Sequence, residues 1–167
     1  MKYILMLVSI MLLLVSSVAS AEDGARTAFG GVGYFAPSAP DIRAFAGVAV
    51  PINEAKTIRS VTDLDIYPRS DGNVSIAGKR LQLEVKSGIA YDVFSLNGFK
   101  LFGLGAPGMV TDGDSLGLKF EYGGGVHKMV TPRWGVMTVF TAETYKDFEV
   151  DEYKTNFAPR FGVTFAF

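Results

Sequence analysis

The residues that could do chemistry in this 167-residue chain are charged side chains set at every second position. Asp63 and Asp65 are two apart, as are Glu84 and Lys86, and Lys119 and Glu121; Arg43, Arg59, Lys100, Glu143 and Arg160 stand singly in stretches of the same kind. A lone charge buried away from water costs several kcal/mol, whereas one that is paired and hydrogen-bonded is tolerated. Charges of both signs brought into one narrow space would therefore pair. They would act either as an electrostatic plug that also sets strand register, or as a gated ion path in which pairs exchange partners and admit water.

Other chemistry has less support. The sole histidine, His127, is followed by Lys128 and Met129 and reads as a turn residue; a serine nucleophile would lack a positioned base, so no catalytic residue is assigned. Asp112, Asp114, Asp147, Glu149, Asp151 and Glu152 are hard oxygen donors of the kind calcium or magnesium takes, but they match no complete calcium-loop pattern, and neither a metal site nor a cofactor is expected. Tyr145, Phe148 and Tyr153 lie among those acids. They are candidate contacts for a surface ligand, since displayed aromatics anchor partners, or else members of an interfacial belt. The chain has no cysteine, so disulfides are excluded, and its formal charge of −1 gives no basis for binding nucleic acid.

The elements that must position these residues are β-strands, because the hydrophobic pattern has a period of two. Residues 156–167 alternate strictly, with Phe157, Pro159, Phe161, Val163, Phe165 and Phe167 on one face. Residues 80–92 place Leu81, Leu83, Val85, Ile89 and Tyr91 against Gln82, Glu84, Lys86, Gly88 and Ala90. The same reading predicts eight strands, over residues 26–35, 42–50, 56–67, 80–92, 98–106, 116–126, 133–145 and 156–167. The first, second and fifth have uncertain phase, and Phe45 and Phe102 do not fit their simplest assignment. Connections at 36–41, 68–79, 107–115 and 146–155 are loop-like, while those at 51–55, 93–97 and 127–132 are turn-like.

A soluble barrel of the lipocalin type has the same period with an apolar interior. Two features favour the opposite arrangement. Small residues (Gly88, Gly117, Gly123, Gly162) share the polar face while the apolar face is bulky. Aromatics also gather near predicted strand ends, with Tyr91, Phe99, Tyr122, Trp134 and Phe165 toward one boundary and Phe35, Tyr67, Tyr145 and Phe157 toward the other, as two interfacial belts require. In hydrocarbon every backbone donor needs a partner, so the last strand must pair with the first. Pro159 removes one donor and is expected near a bulge or a loop end.

Lys2, the apolar run 3–15 and Ala19-Ser20-Ala21 have the layout of a cleavable secretory signal. This divides the chain into a signal peptide at 1–21 and a barrel domain at 22–167, exported to the bacterial envelope.

With its signal, its eight amphipathic strands, the Gly123-Gly124-Gly125 run leading to Thr131-Pro132-Arg133-Trp134, and the ending Pro159 to Phe167, the chain resembles the small outer-membrane β-barrels that include the OmpA membrane domain, the OmpX type and the opacity-like proteins. The resemblance implies an all-β fold, an eight-stranded antiparallel up-and-down transmembrane β-barrel in the outer membrane with periplasmic termini. It implies a barrel-assembly signal at Phe161, Val163, Phe165 and Phe167, read by the assembly machinery and periplasmic chaperones, and a monomer among outer-membrane lipid and lipopolysaccharide. The function expected is non-catalytic, either envelope integrity or surface adhesion through the loops, with a narrow channel for ions or small solutes as the alternative.

Overall fold

The computed structural model describes residues 26–34, 42–68, 81–111, 116–147 and 153–167, excepting the side chains of 145–147 and 153–154. The stretches 1–25, 35–41, 69–80, 112–115 and 148–152 lie outside the described residues, so the predicted signal and most of the four predicted outer loops do too. The strands are β1 (Thr27–Tyr34), β2 (Ile42–Pro51), β3 (Ile58–Pro68), β4 (Leu81–Leu96), β5 (Phe99–Thr111), β6 (Leu116–Met129), β7 (Trp134–Asp147) and β8 (Tyr153–Ala166). Each pairs antiparallel with its sequence neighbours, and β8 pairs with β1 to close an eight-stranded barrel.

Several strands outrun the ranges expected from alternation. β4 runs to Leu96 and β5 to Thr111, where breaks were expected at 92 and 106. The reason at the first site is a tight hairpin at Asn97-Gly98, whose φ values of 50° and 79° suit a primed two-residue turn, so no residues are spent on a longer connection. A register shift between Asp92 and Phe94 then hides the alternation near that turn. The connection from β2 to β3 is longer, and Asn53 organises it: its Oδ1 accepts from the Ile58 amide at 2.8 Å and its Nδ2 donates to Thr57 Oγ1 at 2.9 Å.

Pro159 falls where its missing donor costs least. Among the described residues, pairing of β8 with β1 ends at Arg160 opposite Gly33, and Pro159 is the next residue beyond that end.

The barrel is inverted relative to a protein folded for water. Phe140, Phe157 and Trp134 on the outer wall are 61%, 65% and 53% exposed, while Arg43, Asp65, Glu84 and Glu121 in the lumen are fully covered. Eight strands enclose room only for side chains, and the lumen is filled by setting glycines against large groups. A Cβ on Gly33 would lie 2.7 Å from Arg160 Cγ, one on Gly108 would lie 2.6 Å from Lys86 Cγ, and one on Gly125 would lie 2.8 Å from the Phe102 ring. Phe45 and Phe102, which the sequence left unplaced, point inward and are buried. Tyr67, expected in an aromatic belt, is also inside, and that expectation is corrected below.

A wall built for lipid makes a direct prediction. Phe140→Arg should destabilise the barrel in lipid vesicles by about 2–4 kcal/mol, as for a cation near the bilayer midplane, when measured by urea unfolding followed on the heat-dependent gel shift. A change within about 0.5 kcal/mol, typical of a water-exposed surface position, would show that this face does not meet hydrocarbon.

Candidate functional site

Inward positions of six strands deliver the predicted charges to one place. Arg43 comes from β2, Asp63 and Asp65 from β3, Glu84 and Lys86 from β4, Lys119 and Glu121 from β6, Glu143 from β7 and Arg160 from β8. All are buried. The pairs reach across the lumen as well as along neighbouring strands. The Arg43 guanidinium on β2 grips Glu143 on β7 with both nitrogens, Nη1 to Oε1 at 2.6 Å and Nη2 to Oε2 at 2.7 Å, and Nη1 also donates to Asp65 Oδ2 at 2.7 Å. From β8, Arg160 donates to Asp63 Oδ2 at 2.9 Å and pairs with Glu121 on β6. Lys119 joins Glu84 at 2.7 Å and Glu143 at 2.5 Å. Lys86 lies within 4 Å of four carboxylates: Glu121 (2.5 Å), Asp65 (2.8 Å), Glu84 (3.3 Å) and Asp63 (3.6 Å).

A second, smaller cluster lies nearer the end that carries the termini. Arg59 and Lys100 share Asp92, Arg59 through an ion pair and Lys100 at 3.4 Å, and the Lys100 side chain is 44% exposed at the rim. Asp92 was not singled out from the sequence, although it continues the alternation Glu84, Lys86, Gly88, Ala90 on the same face. Its inclusion matters to the charge balance. Among the described residues the larger cluster sets four cations against five carboxylates and the smaller sets two against one, so together six meet six.

Between the clusters the lumen is mainly apolar. Phe45, Phe102, Leu104, Val139 and Met137 line a cavity of about 50 Å³, and guanidinium groups lie over two of its aromatic walls, Arg160 over Phe45 at 5.5 Å and Arg59 over Phe102 at 5.4 Å. His127 also lines this space. It is buried within β6, its Nε2 2.9 Å from Thr164 Oγ1, and is not the turn residue expected; the turn is 130–133, where Thr131 Oγ1 accepts from the Trp134 amide at 2.9 Å. The Tyr67 hydroxyl donates to Glu84 Oε2 at 3.4 Å inside the barrel, because Tyr67 shares the phase of Asp63 and Asp65. An aromatic ring carries no sign of which face it occupies.

Oxygens of Asp65, Glu84 and Glu143 lie within 4.8 Å of one another, near enough for a cation. The protein supplies positive charge there itself, through Arg43, Lys86 and Lys119.

The terminal residues lie on the outer wall. Phe161, Val163 and Phe167 are exposed, Phe165 packs on Trp134 with ring centroids 4.8 Å apart, and the Phe167 amide donates to the Arg26 carbonyl at 3.0 Å. Of the loop candidates, Tyr145 and Tyr153 sit in the β7–β8 ladder, opposite Lys154 and Lys146, with side chains outside the described residues; Phe148 lies outside them entirely.

An apolar wall, a charged lumen and a fully closed eight-stranded sheet define a transmembrane β-barrel, and the fold is that of the small outer-membrane barrels. Solved structures with this fold include Neisserial surface protein A (TM-score 0.61, 16% identity, 85% of this chain and 96% of that one) and the Yersinia pestis outer membrane protein Ail in a phospholipid bilayer nanodisc (0.51, 14%, 87% and 100%). A designed transmembrane β-barrel is also similar (0.54, 13%, 87% and 98%). No family model and no curated protein matches the sequence.

Breaking one partner of the network should leave a buried charge uncompensated. Glu143→Gln, which removes the carboxylate that Arg43 grips and Lys119 shares, should cost about 3–5 kcal/mol in urea unfolding from vesicles. Lys100→Gln, at the exposed rim, should cost under about 1 kcal/mol.

Proposed function

We propose that this chain is exported behind a signal peptide cleaved after Ala21 and resides in the outer membrane with periplasmic termini, as a sealed, non-catalytic barrel. In this reading its outer loops make the specific contacts, either adhesion to a surface or host ligand or reinforcement of the envelope, with Tyr145, Phe148 and Tyr153 as anchors. The observation that carries the sealed lumen is the set of ion pairs spanning non-neighbouring strands, β2 to β7, β3 to β8 and β4 to β6. A bridge of that kind fills the cross-section and ties opposite walls together. The similar structures, a surface protein and an outer membrane protein, support the location.

Phe161, Val163, Phe165 and Phe167 serve assembly in this reading, as the segment that the barrel-assembly machinery receives from periplasmic chaperones. Their regular outward array at the closing strand supports that role. The second reading, a narrow channel for ions or small solutes, draws on one feature: with four carboxylates within 4 Å, Lys86 can change partner with little motion.

Planar-bilayer recording separates the two. Protein shown to be folded by its heat-dependent mobility should give no stepwise conductance, whereas discrete openings altered by Glu84→Gln would make it a channel. Bacteria displaying the barrel should lose attachment to immobilised host-surface protein when residues 148–152, between β7 and β8, are replaced by a Gly-Ser linker; undiminished attachment would exclude that connection. Deleting Phe167 should abolish accumulation of heat-modifiable barrel in outer-membrane fractions, and normal accumulation would remove its assembly role.

A further inference from the structure

The outer wall near the termini carries a cation on a lipid-facing surface. Lys128 is the penultimate residue of β6, opposite Phe99 on β5 and Val136 on β7, and its Nζ lies 4.2 Å from the centroid of the exposed Phe99 ring. Arg133, exposed in the adjoining turn, precedes the outward Trp134. No acidic residue occurs in β5, between 122 and 142, or from 153 to 167, so no side-chain carboxylate from these stretches competes for either cation. A cation stacked on an aromatic ring at the membrane boundary suits an anionic headgroup.

The wall directly above Lys128 is unusual in a second respect. Moving away from the termini, the outward positions of β5 are Leu101, Gly103 and Gly105, and the outward positions of β6 are Val126 and Gly124; Gly103 pairs with Gly124. A Cβ on Gly105 would meet nothing within 4 Å, and one on Gly103 would meet only the Gly123 carbonyl oxygen at 3.9 Å. These positions form a trough between the exposed Leu101, Tyr122 and Phe140. From Phe99 to Gly105 is six residues, about 20 Å along a strand and about 15 Å along the membrane normal at a tilt near 40°. That is half of a hydrocarbon core of about 30 Å, the depth of one leaflet.

We propose that Lys128 and Arg133 bind the phosphate of an anionic phospholipid from the leaflet at the terminal end, one acyl chain lying in the Gly103–Gly105–Gly124 trough. This rests on the membrane reading and adds to it a defined lipid site. The charge of the patch selects the headgroup, and the missing side chains admit the chain.

The test uses the full mature chain in vesicles containing equal phosphatidylglycerol and phosphatidylcholine, each spin-labelled in turn, with the motionally restricted lipid read by electron paramagnetic resonance. The folded barrel should restrict phosphatidylglycerol in preference to phosphatidylcholine. The double variant Lys128→Gln, Arg133→Gln should lose that preference while keeping its heat-dependent mobility. Gly105→Leu, which places a side chain in open space and leaves both cations, should reduce it as well. Equal restriction of the two lipids by the unaltered protein would overturn the site, as would a preference untouched by the double variant. Abolition by inorganic phosphate together with indifference to Gly105→Leu would reduce it to a free-phosphate site and overturn the lipid. Failure of the chain to enter vesicles as a heat-modifiable barrel would instead sink the membrane reading itself.

Discussion

The constraint on which the whole structure depends is that backbone amides in hydrocarbon have no water to bond. Each must find a partner within the protein, and a sheet meets that demand only when its last strand returns to its first. The β1–β8 pairing, seven residues opposite seven from Thr27 with Ala166 to Gly33 with Arg160, is therefore what makes the other seven ladders tenable. The placement of Pro159 just past the end of that pairing follows the same logic, since a missing donor inside the seam would leave a carbonyl unanswered.

Closure with only eight strands creates the second problem, a lumen too narrow for free solvent and too polar in sequence to collapse as an oil-like core. The chain solves it with ion pairs in two clusters separated by an aromatic layer. Desolvation penalises each charge, and close, shared geometry offsets the cost. Because Arg43, Lys86, Lys119 and Arg160 each touch carboxylates from more than one strand, a one-residue slip of any strand would turn a charge outward into the apolar wall. The interior thus acts as a register lock, and in an apolar solvent the penalty for misregistration is larger than in water.

The wall and the lumen divide the labour between them. Variation in the lumen is limited by packing, as the glycines facing Arg160, Lys86 and Phe102 show. Variation on the wall is limited by lipid. The glycine trough on the outer wall departs from this division at Gly103 and Gly105, where a Cβ would have open space and bulky apolar residues would serve a general lipid-facing surface equally well, whereas Gly124 is held to glycine by the Phe102 carbonyl, 2.6 Å from where its Cβ would lie.

The strand class, the strand count, the inversion of polarity and the inward phase of the charged residues on β3, β4, β6, β7 and β8 were legible in the sequence alone. All of these are local consequences of side chains alternating across a pleated backbone. The sequence also specified the Asn97-Gly98 turn chemically, though alternation placed that turn at 93–97. Which charges meet was settled by the folded barrel, because Arg43 and Glu143 are 100 residues apart and period-two patterning carries no information about partners across a lumen. The same holds for Tyr67, Phe45 and Phe102, whose rings suit either face, and for His127, whose partner Thr164 arrives from the closing strand. Asp92 belongs with them: its role in balancing the lumen depends on Arg59 and Lys100, which the β3–β4 and β4–β5 pairings bring within reach of it.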